Sequence, residues 1–228
     1  MSSELQLRRS ARAKALRLRV DPRTGAVLLT VPSRVSEKKA LAWAAGHWDW
    51  IERQRAAVPP PTAIEPGGDI PLYGAPHLID WSPERPRTVR LEPGRIVTGG
   101  PRDTLEPRLL RWLHRHALEI LTADTLHYAA RAGVAVTKVG IGDTRSRWGS
   151  CSSTGTIRYS WRLILAPEPV RRATAAHEVA HRVHMNHGPA FHALVAELYG
   201  ANPTPARDWL RREGAGLHRF GRLSTVTP

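Results

Sequence analysis

Residues 176–191 read AHEVAHRVHMNHGPAF, and the fold of the whole chain turns on this stretch. His177, Glu178 and His181 spell H-E-x-x-H. Residues four apart share one face of a helix, so His177 and His181 can aim two imidazoles at one metal ion. Glu178 lies beside them, where a carboxylate can hold a water on that ion. Two histidines, a third protein ligand and an open position form the arrangement in which zinc activates water near neutral pH. His187 follows His177 by ten residues. On an unbroken helix that offset is roughly 15 Å of rise, too far for one ion held at ~2 Å from each nitrogen. The spacing therefore predicts a helix that stops near Val183 to Met185 and a chain reversal. A second helix then starts at Gly188-Pro189, with Pro at its first position. Asn186 is the expected bend residue, because Asn tolerates positive φ better than most. The expected site is one Zn2+ per chain on His177, His181 and His187, with Glu178 as the catalytic base. Should the first helix instead run on through His187, Glu197 on the following helix becomes the third ligand.

The metzincin peptidases share the spacing H-E-x-x-H-x-x-G-x-x-H, with a glycine at the bend. Here His184 occupies the glycine position. A closer likeness is carried by three stretches: R-x-R-W-G-S-C-S (Arg145 to Ser152), W-R-L-I-L-A-P (Trp161 to Pro167) and H-E-V-A-H-x5-H (His177 to His187). Together they resemble the bacterial YgjP-like metallopeptidases, relatives of the SprT-like zincins. The likeness extends over nearly the whole chain and is sharpest from Arg145 to Phe191. It departs at His192, where an aromatic residue, often Trp, is usual. The resemblance implies an α+β fold with a zincin-like catalytic lobe, in which an active-site helix packs on a small β-sheet, and a β-rich N-terminal lobe. It also implies a zinc-dependent hydrolase that cleaves peptide bonds by Glu-assisted attack of zinc-bound water. By the same resemblance, the hairpin around Trp148, Gly149 and Ser150 is the edge that pairs with an extended substrate.

Composition sets the outer limits. A chain of 228 residues with 41% hydrophobic and 24% charged residues is ordinary for a globular protein of one large domain or two lobes. No apolar run approaches the ~20 residues of a membrane helix, and the N-terminal arginines precede no apolar segment of a secretory signal. One cysteine, Cys151, excludes an internal disulfide framework and reads as a small buried thiol. These features together predict a cytoplasmic protein. The net charge of +14 suits polyanions, but only four of the 34 basic residues are lysine, a skew that coding composition also produces. Weak, non-specific nucleic-acid binding is the expectation.

Taken in order, Ala15 to Val20 and Ala26 to Val31 alternate as strands around a turn at Asp21 to Gly25. Ser36 reads as an N-cap for one helix over Glu37 to Ala57, with Trp43, Trp48, Trp50 and Ile51 as apolar anchors. Short strands are expected at Ile70 to Leu72, His77 to Trp81, Thr88 to Leu91 and Arg95 to Thr98. Thr104 to Ala132 reads as a long helix ended by Gly133, with His114 and His116 on a solvated face. Strands follow at Val134 to Ile141, Arg147 to Cys151 and Thr156 to Trp161. The active-site helix then opens at Pro167-Glu168-Pro169. A last helix is expected over Pro205 to Glu213, ahead of a basic tail. The lobes are drawn at residues 1–100, with one helix at about 36–57, and 101–228.

The substrate is expected to be a peptide or an unfolded protein, met by Arg145, Arg147, Trp148, Gly149, Ser150 and Arg162. His184, Tyr199 and Arg162 are the candidates for a second oxyanion donor. Two rival readings remain open. In one, Arg145, Arg147 and Arg162 grip phosphates, as in the nucleoside-triphosphate (UTP) pyrophosphohydrolase activity associated with the family. In the other, the chain is a non-catalytic basic zinc module that binds nucleic acid. The presence of Glu178 weighs against the latter, since a purely structural zinc needs no adjacent base.

Overall fold

In the computed structural model, residues 5–21, 24–56, 58, 60–144 and 147–221 are described. The chain divides into two contact units, Met1–Pro61 and Thr62–Pro228.

The first unit is built on a three-stranded sheet. Strand β1 (Leu5–Ser10) runs parallel to β3 (Val27–Pro32), and β2 (Arg17–Val20) pairs antiparallel on its other side. The β2–β3 turn closes as expected, with Gly25 at φ +70° and its N–H on the Asp21 carbonyl at 2.9 Å. Alternation puts Leu29 and Val31 on one face, where they are buried with Ala40 and Ala44 of α1 (Glu37–Ala45). Ser36 caps α1, its hydroxyl accepting from the Lys39 N–H at 3.3 Å. The single helix expected over 37–57 is instead two, because α2 (Trp48–Ala56) starts afresh after Gly46-His47. Glycine is a poor helix former, and the His47 ring takes the Trp43 carbonyl at 2.8 Å while its N–H goes to Ala44. Of the expected anchors, Ile51 is buried and Trp48 is exposed.

The second unit carries a four-stranded sheet of order β4-β5-β7-β6, made of β4 (Asp69–Leu72), β5 (Ala75–Ser82), β6 (Arg90–Glu92) and β7 (Arg95–Gly99). Tyr73 (φ 56°) and Gly74 (φ 82°) turn the first hairpin, both at positive φ, as a tight two-residue hairpin requires. A 28-residue helix, α3 (Leu105–Ala132), follows and ends on Gly133 in the left-handed conformation. Its Leu109, Leu113, Ala117 and Leu121 are fully buried. His114 and His116 are not on a solvated face: His114 lies against Trp161, and His116 stacks on Trp112 and hydrogen-bonds the Tyr73 hydroxyl. A second three-stranded sheet has order β8-β10-β9, with β8 (Lys138–Gly142), β9 (Gly149–Cys151) at one edge and β10 (Thr156–Ser160) in the middle. A buried 3-10 turn, Trp161–Leu165, leads into α4 (Glu168–Ala180), then α5 (Pro189–Tyr199) and α6 (Thr204–Leu217).

The fold is thus a mixture of helices and small sheets, compatible with α+β. The unit boundary does not coincide with the division drawn at residue 100. One continuous core explains this: Ile64, Ile70, Leu72, Ile79 and Ile96 are buried in the same cluster as the α3 and α4 residues. No helix among the described residues is long and apolar enough to cross a membrane.

Candidate metal centre

Helix α4 packs on α3, α5, α6 and the edge strand β9, so its C-terminal turn is enclosed on several sides. The helix ends at Ala180 with His181 as its C-cap, three residues before the expected stop. The Arg182 and Val183 N–H groups close short turns on Val179 and Ala180 at 2.8 and 3.0 Å. The chain then reverses and α5 begins at Pro189, as the spacing requires. Asn186 does not take a positive φ; Tyr73 is the non-glycine residue that does among those described. The reversal is distributed over residues 181–188, and the Gly188 N–H closes back on the Asn186 carbonyl at 2.9 Å. No single strained residue is needed, which is why no glycine is.

The reversal brings His187 back to the helix. His177, His181 and His187 offer nitrogens that all lie within 4.8 Å of one another. The Nε2 atoms of His177 and His187 face each other at 3.3 Å. Two nitrogens bound to one tetrahedral zinc at ~2.0–2.1 Å would stand ~3.3–3.4 Å apart, so this pair fits the ion. The Nδ1 of His181 meets the His184 carbonyl at 3.1 Å. Nδ1–H donates there, which leaves Nε2 with its lone pair for a metal. Burial first, then the neighbouring imidazoles, lowers His177 to about 4, so it stays neutral and able to ligate. His181 is lowered too, again mainly by burial. Glu197 is exposed on α5 and belongs to no metal-capable group among the described residues.

Phe191 supports the triad from α5. It is fully buried, and its ring centroid lies 4.9, 4.5 and 4.8 Å from those of His177, His181 and His187. Sequence reading quoted Phe191 only as the end of the motif. Its position one turn into α5 was the signal that it would face the same helix as the histidines.

Glu178 is 5% exposed and makes no hydrogen bond with a described residue. Burial raises its carboxyl to about 7, against the opposing pull of Arg147. The β9 backbone lies directly against it, and a β-carbon at Gly149 would overlap the carboxyl. That contact is the reason a glycine stands there. A cleft of about 420 Å3 opens in front of His177, Glu178 and His187. Arg147, Trp148 and Gly149 form one side of it, and Ala206, Arg207 and Leu210 of α6 line it as well.

The remaining expected residues fall in different places. Ser150 sits on β9, opposite Arg158. Arg145 lies outside the described residues. Arg162 is fully buried and does not line the cleft: its guanidinium donates to the Phe220 carbonyl at 2.9 and 3.2 Å and pairs with Asp143. His184 and Tyr199 do not line the cleft either. Cys151 is half-buried, its thiol pushed up mainly by burial. Arg207 had no sequence signal, since α6 shows no chemical motif.

A family model described as YgjP-like, metallopeptidase domain matches residues 14–213. No curated protein and no solved structure matches the chain.

Proposed function

The chain belongs to the YgjP-like metallopeptidase family, and on that premise we propose that it is a zinc-dependent peptidase. One observation carries the reading: three imidazole nitrogens converge beside a buried carboxyl at the edge of a sheet. His177, His181 and His187 would hold the ion. Bound zinc supplies a Lewis acid that polarises a carbonyl and acidifies water. An extended peptide adds to the free edge of β9, which pairs only with β10 among the described residues. Main-chain bonds there set the scissile carbonyl in front of the histidines without reading its side chains. The Glu178 carboxyl, unengaged by any hydrogen bond among the described residues, takes the proton of the attacking water and passes it to the leaving nitrogen. Packing of α4 against β9 is the support for a zincin-like catalytic lobe. That lobe is assigned to residues 101–228, since every group used in this mechanism lies beyond residue 145.

The test is the zinc-loaded chain incubated with an unfolded protein and, separately, a nucleoside-triphosphate panel. New peptide amines are expected from wild type and none above background from Glu178→Gln. Pyrophosphate release that depends on Glu178, without peptide cleavage, would refute the peptidase reading.

A further inference from the structure

Two arginines in the cleft belong to no ion pair among the described residues. Arg147 precedes β9 and Arg207 lies on α6, and both line the cleft. Neither guanidinium makes a hydrogen bond or ion pair with a described residue, whereas their neighbours are engaged. Arg162 pairs with Asp143, Arg171 with Asp124 and Arg172 with Glu168. Asp208, the acid next to Arg207, is taken by Arg211 at 3.0 Å. The one carboxylate lining the cleft is the buried Glu178, and much of the remaining wall is apolar, with Val170, Ala173, Val195 and Leu210. Cations on such walls act through a low dielectric and concentrate anionic ligands. The fold holds the two arginines to one opening by a close approach. Trp148, next to Arg147, lies against Gly214 of α6, where a β-carbon would come 2.7 Å from Trp148 Cζ2. Both arginine side chains line the same cleft as His177 and Glu178.

We propose that Arg147 and Arg207 form an anion subsite that binds a carboxylate of the peptide substrate beside the scissile bond. The inference rests on the peptidase reading and names its substrate class: peptides that present an acidic side chain or a free C-terminus next to an apolar residue. Guanidinium–carboxylate pairs are short, directional and charge-assisted, and suit this role better than general attraction.

The experiment uses the full chain, zinc-loaded, and three peptides of equal length and apolar content. One carries a glutamate and a C-terminal amide, one is neutral with a free C-terminus, and one is neutral and amidated. Binding is measured on the Glu178→Gln protein and turnover on the protein with Glu178 intact. At least one carboxylate peptide should bind about tenfold or more tighter than the neutral amide, the range for a hydrogen bond to a charged group. Whichever carboxylate peptide gains identifies the source. Arg207→Met should abolish the gain and Arg207→Lys restore part of it, while the neutral amide loses far less than the carboxylate peptides. In turnover, the loss should fall on KM rather than kcat. Equal binding of all three peptides, or a preference that survives Arg207→Met, overturns the subsite, even if cleavage proceeds. UTP bound more tightly than any peptide through Arg207 also overturns it. If peptides bind with the arginine-dependent preference yet are never cleaved, the subsite stands and the peptidase reading fails.

Discussion

The burial of Glu178 comes at a cost to the fold. Its carboxyl is raised to about 7 from an ordinary 4.5, so the folded chain holds a proton that the unfolded chain releases. Between those values the metal-free protein loses stability as pH rises. Metal-free Glu178→Gln should therefore match metal-free wild type at pH 4 and exceed it at pH 8, by on the order of 1–3 kcal/mol. Denaturant midpoints at the two pH values check this, and equal midpoints at pH 8 would refute it. Phe191 makes the opposite kind of contribution, touching all three imidazoles while ligating nothing. Phe191→Ala should cost roughly 3–5 kcal/mol as a buried aromatic deletion. It should also weaken zinc binding about 10–100-fold, as loss of a group that orients ligands does. Phe191→Leu should recover most of the stability, and a chelator competition reads the affinity. At this scale the three histidines were legible as a group that could hold a metal, because their spacing brings them together. Phe191 and Arg207 were not, because a buried aromatic or an exposed arginine looks alike wherever it stands. Arg162 misled for a related reason. An arginine inside a recognised motif reads as substrate contact, and only the structure places it in the core on the Phe220 carbonyl.

Strand β9 is the element that brings the chemistry together, since its backbone touches Glu178 at Gly149. Gly149→Ala should leave one zinc per chain, because no histidine is disturbed, yet lower turnover by about a hundredfold as the carboxyl is displaced. Elemental analysis and kinetics on the same sample separate the two effects, and full activity would argue against the contact. Helix ends and hairpins were readable wherever punctuation is strong, as at Gly25, Ser36 and Gly133. Elements were misread where a tertiary or local side-chain contact decides. The helix over 37–57 divides because His47 captures the Trp43 carbonyl. Strand β1 was missed because its partner β3 is parallel and seventeen residues beyond its end, so no turn announces it. Asn186 was chosen on the assumption that a reversal must be concentrated in one residue, and the chain spreads it instead.

On the scale of the molecule, the larger core and the whole candidate centre lie in residues 62–228. A chain of residues 62–228 is expected to unfold cooperatively and to bind one zinc. A molten circular-dichroism spectrum or loss of stoichiometric zinc would show that residues 1–61 are needed. Short strands at 69–99 look like a separate β-lobe, while the burial that joins them to α3 and α4 leaves no local mark. The order of the site along the chain also bears on how it is made. The three histidines and Phe191 span residues 177–191, whereas Arg207 and Leu210 of the cleft wall come later. At synthesis rates of ~5–20 residues per second, the ligand set is complete about 1–4 seconds before the wall emerges. A nascent chain thus offers its imidazoles to the ion while that side is still open, and the last helix to be translated closes over a centre that can already be charged.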